Sequence, residues 1–179
     1  MLTGIRLVSE AAELAARRHT GQQRKARPNE PYVNHLAEVA CLLSAATNGE
    51  DAELVAAGWL HDTLEDTETT REELTQRFGL RVAGLVEECT DDMSLPKNER
   101  RGRQVADAPK RPPSAKLIKI ADKVSNVRAR IFANPSGEQR EDLADYLAWA
   151  EQVVAGCRGV NAALDALFDE AVANAGSAM

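Results

Sequence analysis

Residues 52–67 read AELVAAGWLHDTLEDT and join an apolar run to a cluster of ionisable side chains. The nine residues before His61 are almost entirely apolar, which is typical of a central helix buried on all sides. Asp62 follows His61 directly, and Glu65 and Asp66 come about one helical turn later. This stretch therefore predicts a buried helix that carries ionisable groups into apolar surroundings.

The N-terminal side of this run repeats its apolar residues with helical spacing. A first helix is expected to bury the face that carries Ile5, Val8, Ala12 and Ala15. A polar loop over residues 22–31 then leads into a second helix with a strongly apolar side. Helices therefore precede the central run.

The C-terminal side also has helical signals. Thr70 with Glu73 forms a capping box before a short helix, and Ser114 is expected to cap a long one. Ser136 with Gln139 forms another capping box ahead of a further helix. No pair of strands, internal repeat or linker stands out, so the predicted fold class is all-α.

Length and composition place the chain among globular proteins. It has 179 residues, of which 44% are hydrophobic and 28% charged. This predicts a single domain over residues 1–179, with its core at 5–160 and a C-terminal helix at 161–174.

A net charge of -6 argues against nucleic-acid binding. No apolar run is long enough to span a bilayer, and no secretory signal is recognisable. Three widely spaced cysteines suit reduced thiols, so we expect a cytoplasmic protein.

One segment reverses the overall charge. Between Lys97 and Lys119 there are eight basic and two acidic residues. Such a segment is either a solvated surface or a binding site for a small anion on an acidic protein. Charge alone leaves both interpretations open.

The acidic groups near the predicted helices need a partner. Asp122 lies in LIKIADKVSN, on a helix whose apolar face is expected to be buried. Buried carboxylates repel one another and lose hydration, and a divalent cation held by imidazoles and carboxylates relieves both costs. The alternative is a set of buried ion pairs with Lys or Arg. Because HDTLEDT contains no basic residue, the metal interpretation is favoured.

The order of these residues resembles a known family. His35, then His61-Asp62, then Asp122 repeats the H…HD…D pattern of the HD-domain metal-dependent phosphohydrolases. Five strings narrow the resemblance to the small alarmone hydrolases of the RelA/SpoT-homologue group, which has animal members. They are GQQRK (21–25), PYVNHLAEVA (31–40), WLHDTLEDT (59–67), TDDMSLPKNER (90–100) and KLIKIADKVSN (116–126).

The resemblance implies a helical HD-domain bundle around a metal site that holds Mn(II), with other divalent metals possible. The implied reaction removes the 3′-pyrophosphate from guanosine 3′,5′-bis(diphosphate), ppGpp, or from pppGpp, and leaves GDP or GTP. The partner would be this small nucleotide alone, with no nucleic acid and no membrane, and the protein would be a monomer or a homodimer. A chain of this length is expected to be a hydrolase without a synthetase domain.

The resemblance also assigns roles to residues. The implied metal ligands are His35, His61, Asp62 and Asp122. The implied catalytic pair, which orients and deprotonates the attacking water, is Glu65 and Asp66. The implied substrate contacts are Arg24, Lys25, Lys97, Arg100, Asn126 and Tyr146. Gly102 departs from the basic residue common in this family, so phosphate contacts in this segment are expected to be fewer or rearranged.

Several functions remain open at this point. The same site could act on an adenosine alarmone or on the 2′-phosphate of NADPH. A generic HD nucleotidase or cyclic-nucleotide phosphodiesterase would explain H…HD…D but not GQQRK, the Glu65-Asp66 pair or the TDD…LPK segment. A regulator that binds alarmones without cleaving them would be favoured by a missing ligand or catalytic acid, and none is missing.

Overall fold

The described part of the chain is all-α, as predicted. A computed structural model describes residues 2–27, 29–133 and 137–178. The first six helices are α1 (Gly4–Arg18), α2 (Val33–Ala46), α3 (Ala52–Leu60), α4 (Thr63–Asp66), α5 (Arg71–Phe78) and α6 (Leu80–Cys89). They are followed by α7 (Lys97–Asp107), α8 (Pro113–Phe132), α9 (Glu138–Cys157) and α10 (Ala162–Ala178). None of the helices in these ranges is both long and apolar enough to cross a membrane.

The chain divides into two compact units. The first consists of Met1–Gln23 and Glu30–Asp91, and contains α1 to α6. The second consists of Arg24–Asn29 and Asp92–Met179, and contains α7 to α10. A short loop from the N-terminal half of the chain therefore belongs to the second unit.

Helix α3 is the centre of the first unit, as its apolar sequence predicts. It packs against α1, α2 and α6, and most of its side chains are buried. Gly58 allows α2 to approach closely, because a Cβ atom there would lie 2.5 Å from Leu43 Cδ1 and 3.4 Å from Ala40 Cα. The close packing of α2 on α3 fixes the position of the residues at the end of α3.

The prediction of which side of α1 is buried is wrong. Leu7, Ala11, Leu14 and Ala15 are buried, whereas Ile5 is 86% exposed. Apolar residues lie on two sides of this helix, and the side with two leucines removes more apolar surface from water. Only Ala15 belongs to both faces.

Of the helix caps predicted from the sequence, one is present in the structure and one is not. The Thr70 side chain accepts a hydrogen bond from the Glu73 backbone N–H at 3.2 Å, as the capping box predicts. The expected cap at Ser114 is wrong, because α8 already begins at Pro113. Proline fits a first helical position, where no backbone N–H is needed. The capping box at Ser136 lies outside the described residues.

Helix α8 organises the second unit. It packs against α9 and α10, and α9 also contacts α7 and a 3-10 turn at Ala108–Lys110. The middle of α8 buries an unusual number of polar side chains, among them Lys119, Asp122, Lys123 and Ser125. Helix α8 therefore carries the buried polar side chains that are candidates for a functional site in this unit.

Candidate metal centre and nucleotide pocket

Three potential metal ligands converge in the first unit. His35 lies on α2, while His61 directly follows α3 and Asp62 precedes α4. One ligand atom from each residue lies within 4.8 Å of the other two. The Nε2 atoms of His61 and His35 are 3.1 Å and 3.6 Å from Asp62 Oδ2. Two imidazoles and a carboxylate gathered in this way suit a divalent metal, although this donor set does not select which one.

Neighbouring groups orient two of these ligands. His61 Nδ1 lies 2.8 Å from the Gly58 carbonyl oxygen, which can only accept a hydrogen bond. Nδ1 therefore donates to this carbonyl, and Nε2 faces Asp62 and the centre of the cluster. The Tyr32 hydroxyl donates to Asp62 Oδ2 at 2.7 Å. Outer hydrogen bonds of this kind hold metal ligands in their binding orientation.

The carboxyl group of Asp62 remains ionised. Burial alone would raise its pKa, but the charge of His61 and hydrogen bonds from His35 and His61 hold the pKa well below its usual range. A cation requires its carboxylate ligands to be ionised, as Asp62 is here.

Tyr32 was not predicted as a site residue, and its contact with Asp62 supports a mutational prediction. Tyr32→Phe removes the hydroxyl and keeps the ring that stacks on His19, 5.2 Å away between ring centroids. We expect metal affinity to fall by about 10- to 100-fold, as for other outer-sphere partners. Calorimetric titration with Mn(II) measures this. An affinity equal to that of the unmodified protein would mean that the hydrogen bond does not orient Asp62.

Glu65 has the properties of a proton acceptor. It lies in the helical turn α4, and its Oε2 accepts a hydrogen bond from the Asp91 backbone N–H at 3.1 Å. Burial raises its pKa from 4.5 to about 7, and the charges of Asp62, Asp91 and Asp66 add to the rise. A group with this pKa exchanges protons readily near neutral pH. Asp66 is exposed and its backbone carbonyl accepts from the Gln22 side chain, so its catalytic role stays a prediction.

The raised pKa of Glu65 predicts a pH-dependent cost to folding. The unfolded chain loses this proton near pH 4.5 and the folded protein near pH 7, so stability falls as the pH rises between these values. Glu65→Gln should therefore raise the melting temperature of metal-free protein above pH 7 and change it little near pH 4.5. Thermal unfolding in EDTA across this range measures the difference. Glu68→Gln, at an exposed position, is the control, and an equal pH trend there would contradict the prediction.

Asp122 lies on α8 in the second unit and is 9% exposed. Its Oδ2 pairs with Lys123 Nζ at 2.8 Å, and its Oδ1 accepts a hydrogen bond from Asn126. The buried ion pair that the sequence offered as an alternative to a metal is therefore present at Asp122. Its role as a metal ligand stays a prediction.

A cavity of about 630 Å³ opens in the second unit. Three predicted substrate residues line it, namely Lys25, Lys97 and Tyr146. The other lining residues are Ala26, Asn98, Arg101, Arg130, Ala133, Gln139, Asp142, Leu143 and Asp145. Cations outnumber carboxylates four to two, so the cavity suits an anionic ligand.

Arg130, which is half-buried, and Tyr146, which is buried, line this cavity side by side. The guanidinium carbon of Arg130 lies 3.6 Å from the centre of the Tyr146 ring. Burial raises the pKa of Tyr146, so the phenol keeps its proton and can donate a hydrogen bond. Sequence reasoning missed Arg130, although it follows Asn126 by four residues and therefore shares the helix face that carries Asp122.

The remaining predicted contacts lie elsewhere. Among the described residues, the cavity lining does not include Arg24, Arg100 or Asn126. Arg100 donates to the Leu95 carbonyl at 2.8 Å. Arg24 is not solvated, since it is only 5% exposed and donates to the Ser125 carbonyl at 3.1 Å and hydroxyl at 3.2 Å. Arg24 thus anchors the loop that carries Lys25 to α8.

Arg24→Ala is expected to affect both stability and binding. Loss of the buried hydrogen bonds to Ser125 should cost about 1–3 kcal/mol, or roughly 2–10 °C in melting temperature. Nucleotide affinity should also fall, because Lys25 loses its anchored position. Thermal unfolding and calorimetry measure the two effects. Arg27→Ala in the same loop is the control and should lower the melting temperature less, because its guanidinium rests on the exposed Phe132 ring. An unchanged melting temperature for Arg24→Ala would contradict the anchoring role.

The helical fold and the group of two histidines and an Asp can be compared with known protein families. The family described as "HD domain" matches residues 11–148, which include parts of both units. Because the match extends over more than half of the chain, the chain belongs to the HD-domain family.

Several members of the family are similar to this chain over nearly the whole length of both proteins. The mouse protein named guanosine-3′,5′-bis(diphosphate) 3′-pyrophosphohydrolase MESH1 is 44% identical over 165 residues, which is 90% of this chain and 92% of the relative. The human protein of the same name is 45% identical and covers 87% of each chain. A solved metazoan SpoT orthologue, described as hydrolysing ppGpp, superposes with a TM-score of 0.88 at 38% identity, over 98% of this chain and 99% of its own. Within the HD-domain family, the chain groups with these proteins.

Proposed function

We propose that this protein hydrolyses ppGpp to GDP and pyrophosphate. The observation that carries the proposal is the convergence of His35, His61 and Asp62 in one unit with Glu65, whose pKa is raised to about 7. The names of the relatives supply the substrate class. pppGpp would give GTP by the same reaction.

The proposed metal is Mn(II), with Asp122 as a further ligand. The family resemblance supports both, and an additional carboxylate suits a hard divalent cation. A divalent cation in this site supplies positive charge that offsets the charge of the diphosphate and favours ionisation of water. His35, His61 and Asp62 hold it, and Tyr32 keeps Asp62 in place.

Glu65 is the proposed general base. It accepts a proton from the water that attacks the phosphorus next to the ribose 3′-oxygen. A bond forms between the water oxygen and this phosphorus, and the bond from phosphorus to the 3′-oxygen breaks. The proton then passes to the 3′-oxygen of the departing GDP. Asp66 is proposed to help orient the water.

The second unit supplies the proposed nucleotide contacts. Lys25 and Lys97 offset phosphate charge in the cavity, and Arg101 and Arg130 add to the positive potential. The Tyr146 hydroxyl is buried and has no hydrogen-bond partner among the described residues, so it can donate to a nucleotide oxygen. Arg24, Arg100 and Asn126 remain proposed nucleotide contacts, although they do not line this cavity. The proposed location is the cytoplasm, because the three cysteines are widely spaced and form no CxxC pair.

A substrate panel tests the proposal. Purified protein with Mn(II) is incubated separately with ppGpp, pppApp, NADPH and deoxynucleoside triphosphates, and nucleotide products, phosphate and pyrophosphate are quantified. We expect GDP and pyrophosphate in equal amounts from ppGpp, with the highest kcat/KM of the panel. Preferential release of phosphate from NADPH, or of pyrophosphate from pppApp, would assign the site to those substrates instead. Binding of ppGpp without any product would identify a regulator.

A further inference from the structure

The cavity of the second unit contains two carboxylates that the proposed mechanism does not use. Asp142 and Asp145 lie on α9, and the four cations of the cavity come from the 24–29 loop, α7 and α8. Both carboxylates are exposed, and neither forms a hydrogen bond or an ion pair with any residue that the structure describes. Carboxylates repel phosphate, so a site for phosphate alone would not need them. The cavity therefore suits a ligand that has an anionic part and also hydrogen-bond donors.

Asp142 lies on the same face of α9 as a buried donor, the Tyr146 hydroxyl. The two residues are four positions apart, and a tyrosine side chain leans over the preceding helical turn. Tyr146 is 5% exposed, and its hydroxyl has no hydrogen-bond partner among the described residues. A buried donor without a partner is costly, and a ligand acceptor relieves this cost. One face of α9 thus offers a ligand two carboxylate acceptors and one donor.

We infer that Asp142 and Tyr146 recognise the guanine base of the bound nucleotide. The inference rests on the proposed function, which makes a nucleotide the ligand of this cavity. Guanine presents the carbonyl oxygen O6, the N1–H group and the 2-amino group along one edge. The Asp142 carboxylate accepts from N1–H and from the 2-amino group, and the Tyr146 hydroxyl donates to O6. The cations that line the same cavity offset the charge of the phosphates.

Adenine does not match this pair of residues. Its 6-amino group replaces O6, its N1 is an acceptor, and it has no 2-amino group. The Tyr146 hydroxyl can rotate to accept from the 6-amino group, but an ionised Asp142 has no proton to donate to N1. Discrimination between the bases therefore depends mainly on Asp142. Hypoxanthine, the base of inosine, keeps O6 and N1–H and lacks only the 2-amino group.

Binding of three nucleoside diphosphates tests the inference. Guanosine, inosine and adenosine 5′-diphosphates are titrated by calorimetry in EDTA, so that neither metal binding nor hydrolysis contributes. Asp142→Asn is the main variant, and Glu141→Gln is the matched control, an exposed neighbour on α9 that does not line the cavity. The readout is the ratio of guanosine to adenosine diphosphate affinity, because loss of one negative charge strengthens the binding of both diphosphates. The melting temperature of each variant checks that it is folded.

We expect the unmodified protein to bind guanosine diphosphate about ten- to hundredfold more tightly than adenosine diphosphate, as expected for hydrogen bonds to a charged group. Inosine diphosphate should be intermediate. Asp142→Asn should lower the ratio at least tenfold, because an asparagine amide can donate to adenine N1 and accept from its 6-amino group. Glu141→Gln should keep the ratio.

Three results would overturn the inference. They are equal affinities for guanosine and inosine diphosphates, an unchanged ratio in Asp142→Asn, and a lowered ratio in Asp145→Asn but not in Asp142→Asn. Turnover of ppGpp by the unmodified protein with Mn(II) separates the inference from the proposed function. If ppGpp is hydrolysed and Asp142→Asn keeps the ratio, only base recognition fails. If the protein prefers guanosine diphosphate but does not hydrolyse ppGpp, the proposed reaction fails and base recognition stands.

Discussion

Glu65→Gln is expected to lower the turnover of ppGpp by about 10²–10⁴-fold, the usual effect of losing a general base. Glutamine has nearly the same shape but cannot accept the proton of the attacking water. Burial raises the pKa of Glu65 to about 7, which suits proton transfer at neutral pH and distinguishes this carboxylate from an ordinary surface acid. Its hydrogen bond from the Asp91 backbone can be kept by the amide oxygen of glutamine. Metal content and nucleotide affinity should therefore stay near those of the unmodified protein.

Three measurements on the same preparation separate catalysis from binding. Turnover is measured with ppGpp and Mn(II), metal content by mass spectrometry, and nucleotide affinity by calorimetry. Glu68→Gln, which removes an exposed carboxylate three residues away, is the control and should keep full turnover. If Glu65→Gln loses its metal, Glu65 is a ligand and the division of roles is wrong. If it keeps full turnover, Asp66 or another group is the base.

The fold of the first unit and the position of His61 and Asp62 at the end of a buried helix were largely predictable from sequence. An apolar run followed by His61-Asp62 predicts a buried helix with polar residues directly after its end, and α3 has this form. The spacing from Asp62 to Glu65 predicts proximity only if the intervening turn is helical, and α4 is such a turn. These features depend on local periodicity, which a single sequence displays directly.

Contacts between distant parts of the chain were not predictable in this way. Arg24 lies in a polar loop by composition, yet its side chain is buried against Ser125, 101 residues further along the chain. Burial is a further property that depends on distant parts of the chain. Asp122 and Lys123 are adjacent in sequence, but the sequence does not show that both members of this ion pair are buried. For α1, two apolar sides competed, and periodicity could not identify the one that packs against α3.

Removal of divalent metal is expected to abolish hydrolysis and to lower the melting temperature. His35, His61 and Asp62 come from the ends or faces of three different helical segments, so a shared cation would link those segments in the folded chain. A ligand that binds only the folded protein stabilises it by about 2.7 kcal/mol at 100 times its dissociation constant, which is roughly 5–10 °C for a chain of this length. EDTA should remove this stabilisation together with all turnover, and Mn(II) should restore both.

Two buried histidines of the first unit make this prediction specific. His61→Ala removes a ligand nitrogen, so the melting temperature of this variant should no longer respond to Mn(II), and hydrolysis should be lost. His19 is equally buried, at 2% exposure, but bonds to the Gln22 side chain and is not in the ligand group. His19→Ala should therefore lower the melting temperature with and without metal while keeping the upward shift that Mn(II) causes. Undiminished turnover in EDTA, or a Mn(II) shift retained by His61→Ala, would remove the metal centre from the proposed mechanism.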